Sequence, residues 1–204
     1  MKAMILFTAT LLATTLTFAV EKKMDKKAAA EATTKSDVTG TLKWTGYGVG
    51  KSHTGDLQIK KGQVEMKGKE LVGGDFVIDM SSLKTADSEK LQGHLQSPDF
   101  FDVAKHPEST FKITKVEAMK TPAADAPTHK IWGNLTIKGK TEPVELMATV
   151  KEAAGKTTAV VTSEIKDRTK FDIVYNSAKF KAVSALGDKL IQDNIKIEMN
   201  IVTK

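Results

Sequence analysis

From residue 36 onward, apolar and polar residues alternate with a period of two, and no other feature constrains the fold as strongly. Such alternation is typical of strands with one buried face, because successive side chains of a strand point to opposite sides. Consecutive strands joined by tight turns form an antiparallel meander, which must close or pack to hide its edges. The pattern therefore predicts one all-β domain over 36–204. The alternating runs lie at 38–45, 53–59, 74–80, 109–113, 131–137, 144–150 and 195–201, and the predicted turns at 60–62, 67–69, 138–140 and 154–156.

The segment 87–102 breaks the alternation and predicts a short helical segment. Leu91 and Leu95 are four residues apart, so they share one face of a helix. Ser97 followed by Pro98 has the form of a helix start, and predicts a second short helix after the first. A barrel of about eight strands can hold one ligand if its own side chains do not fill it. A helix between two strands is well placed to cover one mouth of such a barrel, although core packing explains the same residues.

The N-terminus reads as a targeting signal followed by a tether. Residues 1–19 combine a basic start, an apolar stretch and small residues before a cleavage site after Ala19. We therefore expect a cleaved signal peptide and a periplasmic or secreted protein. Residues 20–35 are rich in Lys and Ala and are predicted to form a solvated tether. A transient contact of this basic stretch with anionic lipid is the alternative.

Composition excludes several classes of function. The 204 residues include no Cys, which rules out a disulfide scaffold, a cysteine nucleophile and a thiolate metal site. The net charge of +6 is carried almost entirely by Lys, whereas readout of bases and phosphates favours Arg. No nucleic-acid partner is therefore expected. Arg168 stands out because it is the only arginine in the sequence.

A histidine-dependent enzyme is the alternative to a binding protein. His53 has inward parity on its strand and His94 lies on the predicted helix, so a pair of them with Asp79 would offer a metal or proton-transfer site. Structural roles for single histidines are more common, and no serine lies in a nucleophile-elbow motif. We therefore predict no enzyme, no catalytic residue, no metal and no cofactor, and place both histidines on the polar rim of a cavity.

Five segments together resemble the YceI-like family, in the order expected along the chain. They read GGDFVIDMSS at 73–82, LQSPDFFDV at 95–103, HPESTF at 106–111, GNLTIKGKTEPV at 133–144 and RTKFDI at 168–173. The resemblance covers about 36–202 and implies a lipocalin-like, extended antiparallel β-barrel in an exported bacterial protein. It also implies a polyisoprenoid ligand, of isoprenoid quinone or polyprenyl phosphate type, in an elongated apolar cavity. Asp172 stands where the family more usually has Gly, which predicts a different local backbone.

Large apolar residues of the alternating runs are expected to line this cavity. For Trp132 the parity also allows an outward-facing position, because Ile131 and Gly133 flank it. The predicted lining residues are Trp44, Leu57, Phe76, Ile78, Met80, Phe111, Trp132, Leu135 and Phe171. A partner-binding barrel with a filled core is the competing interpretation. The sequence is compatible with a monomer or a homodimer. Arg168 either fixes the predicted strand 168–171 through buried hydrogen bonds, which we favour, or orients a polar ligand head.

Overall fold

The computed structural model describes residues 32–204 except 121, 122, 124, 125 and 154. In these residues eight antiparallel strands close into a barrel in which each strand pairs with its sequence neighbours and the last pairs with the first. This confirms the predicted fold class. The strands are β1 Thr33–Gly48, β2 Lys51–Lys67, β3 Glu70–Thr85, β4 Glu108–Ala118, β5 His129–Ile137, β6 Lys140–Ala153, β7 Lys156–Ile165 and β8 Ile191–Thr203.

The barrel is elongated because its first three strands are long. They contain 16, 17 and 16 residues, which corresponds to roughly 50 Å at the usual rise of a strand. β1 begins at Thr33, so its first residues fall within the stretch predicted as tether. They continue the strand because Thr33 pairs with Lys67, and because Lys35 Nζ lies 2.7 Å from Glu65 Oε1 on β2. The predicted signal peptide and the tether as far as 31 lie outside the described residues.

Tight turns with glycine at positive φ join most neighbouring strands. Gly68, Gly139 and Gly155 have φ of 61°, 71° and 75°, at three of the four predicted turns. The turn predicted at 60–62 is wrong, because β2 runs through it with a bulge between Ile59 and Lys61. The bulge lets the strand bend while the ladder to β3 continues.

Helices lie at one end of the barrel, and the described residues of the other end form loops and hairpins. The mouth end, as we call it, comprises the β1–β2 turn, the connection 86–107 between β3 and β4, the β5–β6 turn and the connection 166–190 between β7 and β8. The opposite, hairpin end is filled by a buried apolar cluster. That cluster includes Val38, Met66, Leu71, Phe76, Phe111, Ile113, Ile131, Leu146, Ala148, Val161 and Ile201.

Helix α1 (Glu89–Gln96) occupies the predicted helical segment. Ser88 begins it by accepting a hydrogen bond from the Leu91 amide at 3.2 Å, and Leu95 is buried against the barrel. The second helix predicted from Ser97 is wrong. Ser97 instead ends α1, because its hydroxyl donates to the His94 carbonyl at 2.8 Å, and the chain continues in turns. These turns bury Phe100 and Val103 under α1.

The β7–β8 connection is helical where a strand was predicted. Arg168–Phe171 is a 3₁₀ helix, Val183–Leu186 forms α2, and Gly187–Lys189 is a second 3₁₀ helix. Asp172 ends the first of these in the left-handed conformation, with φ of 59°. Gly favours this conformation and Asp tolerates it, and the predicted difference from the family's backbone stays a prediction. No helix in the described part of the chain is long and apolar enough to cross a membrane.

Candidate functional site

An apolar cavity of about 420 Å³ lies inside the barrel and reaches the mouth end. It lies within the size range of cavities that hold small molecules. Inward side chains of strands and residues of α1 form its wall. Seven of the nine predicted lining residues border it, namely Trp44, Leu57, Phe76, Ile78, Met80, Phe111 and Leu135.

Inward residues of β8 contribute a partly accessible stretch of the cavity wall. Ile195, Ile197 and Met199 point inward, yet each is only partly buried, and all three border the cavity. A fully packed core would leave such residues inaccessible. The predicted lining does not include them, although they lie in the predicted alternating run 195–201. Their inward parity is the signal that could have placed them there.

Glycines within the wall allow aromatic rings to lie flat against neighbouring strands. A Cβ on Gly55 would lie 2.7 Å from the indole of Trp44, and one on Gly133 would lie 2.3 Å from the ring of Phe111. Both would also meet a backbone carbonyl at 2.5 Å or less. These glycines therefore orient the two rings by close packing and do not enlarge the cavity.

Two polar groups on buried residues of the lining have no hydrogen-bond partner within the described residues. They are the hydroxyl of Ser109, which is 4% exposed, and the indole nitrogen Nε1 of Trp44, which is 8% exposed. By contrast, the hydroxyl of Ser163, also at the lining, donates to the Glu145 carbonyl at 2.7 Å. An unpartnered buried donor costs free energy, so the interior offers hydrogen bonds to a suitable occupant.

Both predicted rim histidines border the mouth, but each has its own aspartate. His53 Nδ1 lies 3.1 Å from Asp87 Oδ2, a contact within ion-pair distance that lacks the alignment of a hydrogen bond. His94 Nε2 lies 3.0 Å from Asp99 Oδ2. The hydrogen bond from Thr85 and then the close contact with His53 hold the pKa of Asp87 below its usual value.

These histidines do not form the site that the enzyme hypothesis requires. Asp79, its third member, accepts a hydrogen bond from the Ser81 amide at 2.9 Å instead of contacting either histidine. The His94 ring packs edge-on against Phe100 and Tyr175, with centroids 5.0 and 4.7 Å away. Across the described residues, no group of three or more His, Asp or Glu side chains could hold a metal ion.

Arg168 borders the cavity but is committed to the backbone. The side chain is 2% exposed, and it donates to four carbonyls, those of Ile173 at 2.7 Å, Tyr175 at 2.9 Å, Gln192 at 3.1 Å and Ile191 at 3.3 Å. Asp193 Oδ1 lies 3.4 Å from its Nη2. Burial lowers the pKa of Arg168 from its usual value, and Asp193 opposes that shift. The geometry is that of the favoured structural role.

The structure places two predicted lining residues outside the cavity. Trp132 faces outward because its neighbours Ile131 and Gly133 face inward, and its ring lies between Lys115 and Lys130, with Nζ atoms 4.4 and 5.1 Å from the centroid. Phe171 is 1% exposed and packs in the core of the mouth end. Both border a separate groove on the outer surface.

The sequence of this chain matches a known family model over most of its length and matches curated proteins over part of it. The family model of the YceI-like domain matches residues 30–203. A UPF0312 protein of Pectobacterium atrosepticum is 39% identical over 74 residues, which are 36% of this chain and 35% of that protein. A UPF0312 protein of Pseudomonas aeruginosa is 41% identical over 71 residues, which are 35% and 34%. The chain thus spans about a third of the length of the curated relatives that it matches.

Two solved structures share the fold. BcnA of Burkholderia cenocepacia superposes with a TM-score of 0.62 and 21% identity, over 81% of this chain and 96% of that one. A polyisoprenoid binding domain from Saccharophagus degradans superposes with a TM-score of 0.57 and 9% identity, over 84% and 99%. At these identities the likeness shows the barrel fold.

Proposed function

The chain belongs to the YceI-like domain family, and from that premise we propose that it is an exported bacterial protein that holds a polyisoprenoid lipid in its barrel cavity. The proposed ligand is of isoprenoid quinone or polyprenyl phosphate type. The proposed role is transport, storage or sequestration of this lipid, without catalysis. The observation that carries the proposal is the apolar cavity, which opens at one end of a barrel that is otherwise packed.

The distribution of polarity along the cavity supports an amphiphile with a long tail. The inner part is bordered by Phe76, Phe111 and Val161, which belong to the apolar cluster of the hairpin end. The mouth is bordered by Lys51 and Lys189 as well as the two histidines. Because each buried methylene contributes about 0.8 kcal/mol, the tail is expected to lie inside and the head to stay near the mouth.

The unpartnered donors of Ser109 and Trp44 support a ligand that carries oxygen acceptors. Ligand cavities are mostly apolar, with a few polar groups that orient the ligand. A carbonyl or ether oxygen of a quinone would accept such hydrogen bonds, whereas a plain hydrocarbon would leave both donors unpaired. The Saccharophagus degradans domain, which shares this barrel, is described as polyisoprenoid binding, and this supports the same class of ligand.

The open cavity counts against a partner-binding barrel with a filled core, since that hypothesis predicts no internal volume. The separate placement of His53, His94 and Asp79 counts against the particular metal site considered for an enzyme. Export is supported by the signal-like sequence of residues 1–19. It is tested by the mass of the protein recovered from the periplasm, which should lack these residues.

Native mass spectrometry combined with solvent extraction tests the proposed ligand. Protein purified without detergent is expected to carry an apolar molecule that the extract identifies as an isoprenoid, and the delipidated protein should take up an isoprenoid quinone. Phosphate analysis of the extract separates a polyprenyl phosphate from a quinone. The proposal fails if nothing co-purifies and the delipidated protein takes up neither class.

A further inference from the structure

Among the described residues, the two most exposed large apolar side chains lie at the mouth end of the barrel. Phe180 and Val183 in the β7–β8 connection are 60% and 61% exposed, and Val49 in the β1–β2 turn is 48% exposed. The turn and the connection adjoin, because a Cβ on Gly48 would lie 3.5 Å from the Leu190 carbonyl oxygen. Large apolar residues at such exposure mark contact surfaces when they occur together. We call these three residues the apolar rim.

Lysines without carboxylate partners accompany the apolar rim. Lys51 and Lys189 border the cavity mouth, and Lys181 Nζ lies 5.8 Å from the ring of Tyr175, which also borders it. Among the described residues, none of the three has a carboxylate within 4.0 Å. Lys170 and Lys179 of the same connection are, in contrast, paired with Glu142 and Asp167. The three rim lysines are therefore free to meet an anionic partner.

We propose that the apolar rim and its three lysines dock the mouth of the barrel on an anionic lipid membrane. Apolar side chains that enter the acyl boundary and lysines that meet anionic headgroups together make an interfacial binding site. The acidic groups at this end do not oppose it evenly. Asp87, Glu89 and Asp99 lie on or beside α1, where Asp87 and Asp99 contact the two histidines. Asp188 is exposed beside Lys189 at the mouth and offsets one of the three rim charges.

The position of the rim beside the cavity mouth connects membrane docking to lipid transfer. The cavity opens where the rim lies, so a lipid could pass between bilayer and barrel without its tail crossing water. This deepens the proposed function and rests on it for the identity of the cargo. The docking surface itself depends only on the exposed residues and unpaired charges of the mouth end.

Sedimentation with phospholipid vesicles tests the apolar part of the rim. The full chain is mixed with phosphatidylcholine vesicles that contain phosphatidylglycerol, and the double variant Phe180→Ser, Val183→Ser is compared with it. Partitioning of the variant is expected to fall at least about tenfold, since two buried apolar side chains are lost. Val160→Ser is the matched control, because Val160 is 55% exposed on β7, away from the mouth.

Charge reversal tests the lysines of the rim. Lys181→Glu with Lys189→Glu is expected to lower partitioning to phosphatidylglycerol-containing vesicles at least about tenfold, and to leave binding to pure phosphatidylcholine unchanged. Lys67→Glu with Lys69→Glu makes the same change of net charge at the hairpin end and should have little effect. The basic residues of 20–35 are common to all variants, so their contribution cancels in these comparisons.

Docking is overturned if the rim variants and their controls bind vesicles equally. It is also overturned if Phe180→Ser, Val183→Ser changes the sedimentation coefficient without vesicles, because the rim would then face a second copy of the chain. Uptake of an isoprenoid quinone from detergent micelles is measured in parallel. Normal uptake with slow transfer from vesicles supports docking, whereas failed uptake by every form of the protein contradicts the proposed ligand and leaves the vesicle result to stand separately.

Discussion

At the residue scale, Arg168 shows how one side chain can fix the path of a long connection. Its guanidinium links the start of the 3₁₀ helix at 168–171 to the carbonyls of Ile173 and Tyr175 and to the first residues of β8. Arginine suits this task because it presents five donors in a planar fork and stays charged when buried. Without these bonds, one buried carbonyl and three partly buried ones would lose the guanidinium donor.

Arg168→Lys is therefore expected to lower the free energy of unfolding by roughly 2–4 kcal/mol, because a single ammonium group cannot reach all four carbonyls. Urea denaturation monitored by circular dichroism measures this loss. The affinity of the folded fraction for an isoprenoid quinone should stay the same. Loss of binding in a barrel of normal stability would instead assign Arg168 to the ligand head.

Lys170→Met is the control for the arginine. Lys170 lies two residues away, its side chain is 58% exposed, and it pairs with Glu142 at 3.2 Å. An exposed ion pair contributes about 0–1 kcal/mol, so the variant should unfold close to the unmodified protein. A comparable loss in both variants would mean that the whole segment is sensitive to substitution, and the special role of the guanidinium would not hold.

At the element scale, the β7–β8 connection depends on Asp167 at the start of its 3₁₀ helix. The Asp167 carboxylate accepts hydrogen bonds from the Thr169 amide at 3.1 Å and the Thr169 hydroxyl at 2.6 Å, and it also pairs with Lys179. Burial raises the pKa of Asp167, but the hydrogen bonds from Lys179 and Thr169 outweigh it and leave the pKa below its usual value. The ionised form therefore stabilises this end of the barrel.

Asp167→Ala is expected to cost about 1–2 kcal/mol of stability at neutral pH, through loss of the helix cap and the lysine contact. Because the pKa of Asp167 in the native state lies below its unfolded value of about 4, the stabilisation that depends on the carboxylate charge is fully present above that pH. It is lost as the pH falls through the native pKa. Thermal unfolding between neutral pH and about pH 3 should show the deficit of the variant shrinking.

Asp188→Ala provides the comparison for this pH series. Asp188 is exposed in the same connection, and its side chain caps no helix. Its removal should change stability by no more than about 0.5 kcal/mol at any pH in the series. If the deficit of Asp167→Ala stays constant down to acid pH, the carboxylate charge is not the source of the stabilisation.

The elements also show what could be read from the sequence. Strands whose inward residues are large were predicted, whereas β7 was not among the alternating runs, because Ala159 and Ser163 point inward while Val160 points outward. The strand predicted at 168–171 is helical instead, since the short helices of the connection 166–190 are held by side-chain hydrogen bonds to β8. Such partners are adjacent only after the barrel closes, so no local pattern reveals them.

Local sequence patterns also cannot show where the closed barrel leaves a cavity. Parity along single strands predicts inward positions for seven residues that border one cavity, yet it cannot tell that Ile197 is only partly buried while Ile201 is buried, although both border that cavity. That difference depends on what the opposite wall supplies. Size alone predicts Trp132 and Phe171 as lining residues. In the structure Trp132 faces lysines on the outer surface, and Phe171 packs in the core of the mouth end.

At the scale of the whole molecule, closure of the eight-stranded barrel allows the fold to be stable without a ligand in its cavity. Eight strands pair in a ring, and two apolar clusters pack at opposite ends, so the barrel has a core without an occupant. A ligand that binds only the folded barrel adds stability by mass action, by about 2.7 kcal/mol at a free concentration one hundred times its Kd. For a domain of this size that corresponds to a rise in Tm of roughly 5–11 °C.

Ile197→Trp tests this separation by placing an indole in the cavity. Ile197 pairs with Trp44 on one side and Ser163 on the other, at a position that borders the void. The unliganded variant should lose no more than about 1–3 kcal/mol, because the new ring enters existing space. The rise in Tm on adding an isoprenoid quinone should disappear, as measured by differential scanning calorimetry of delipidated protein.

Val160→Trp, which adds the same ring to the outer face of β7, should keep the full ligand-dependent rise in Tm. The two variants differ in which side of the wall carries the indole, so a difference between them locates the ligand inside the barrel. An unchanged rise in Ile197→Trp would place the binding site elsewhere, and the groove beside Trp132 would then be the next site to block.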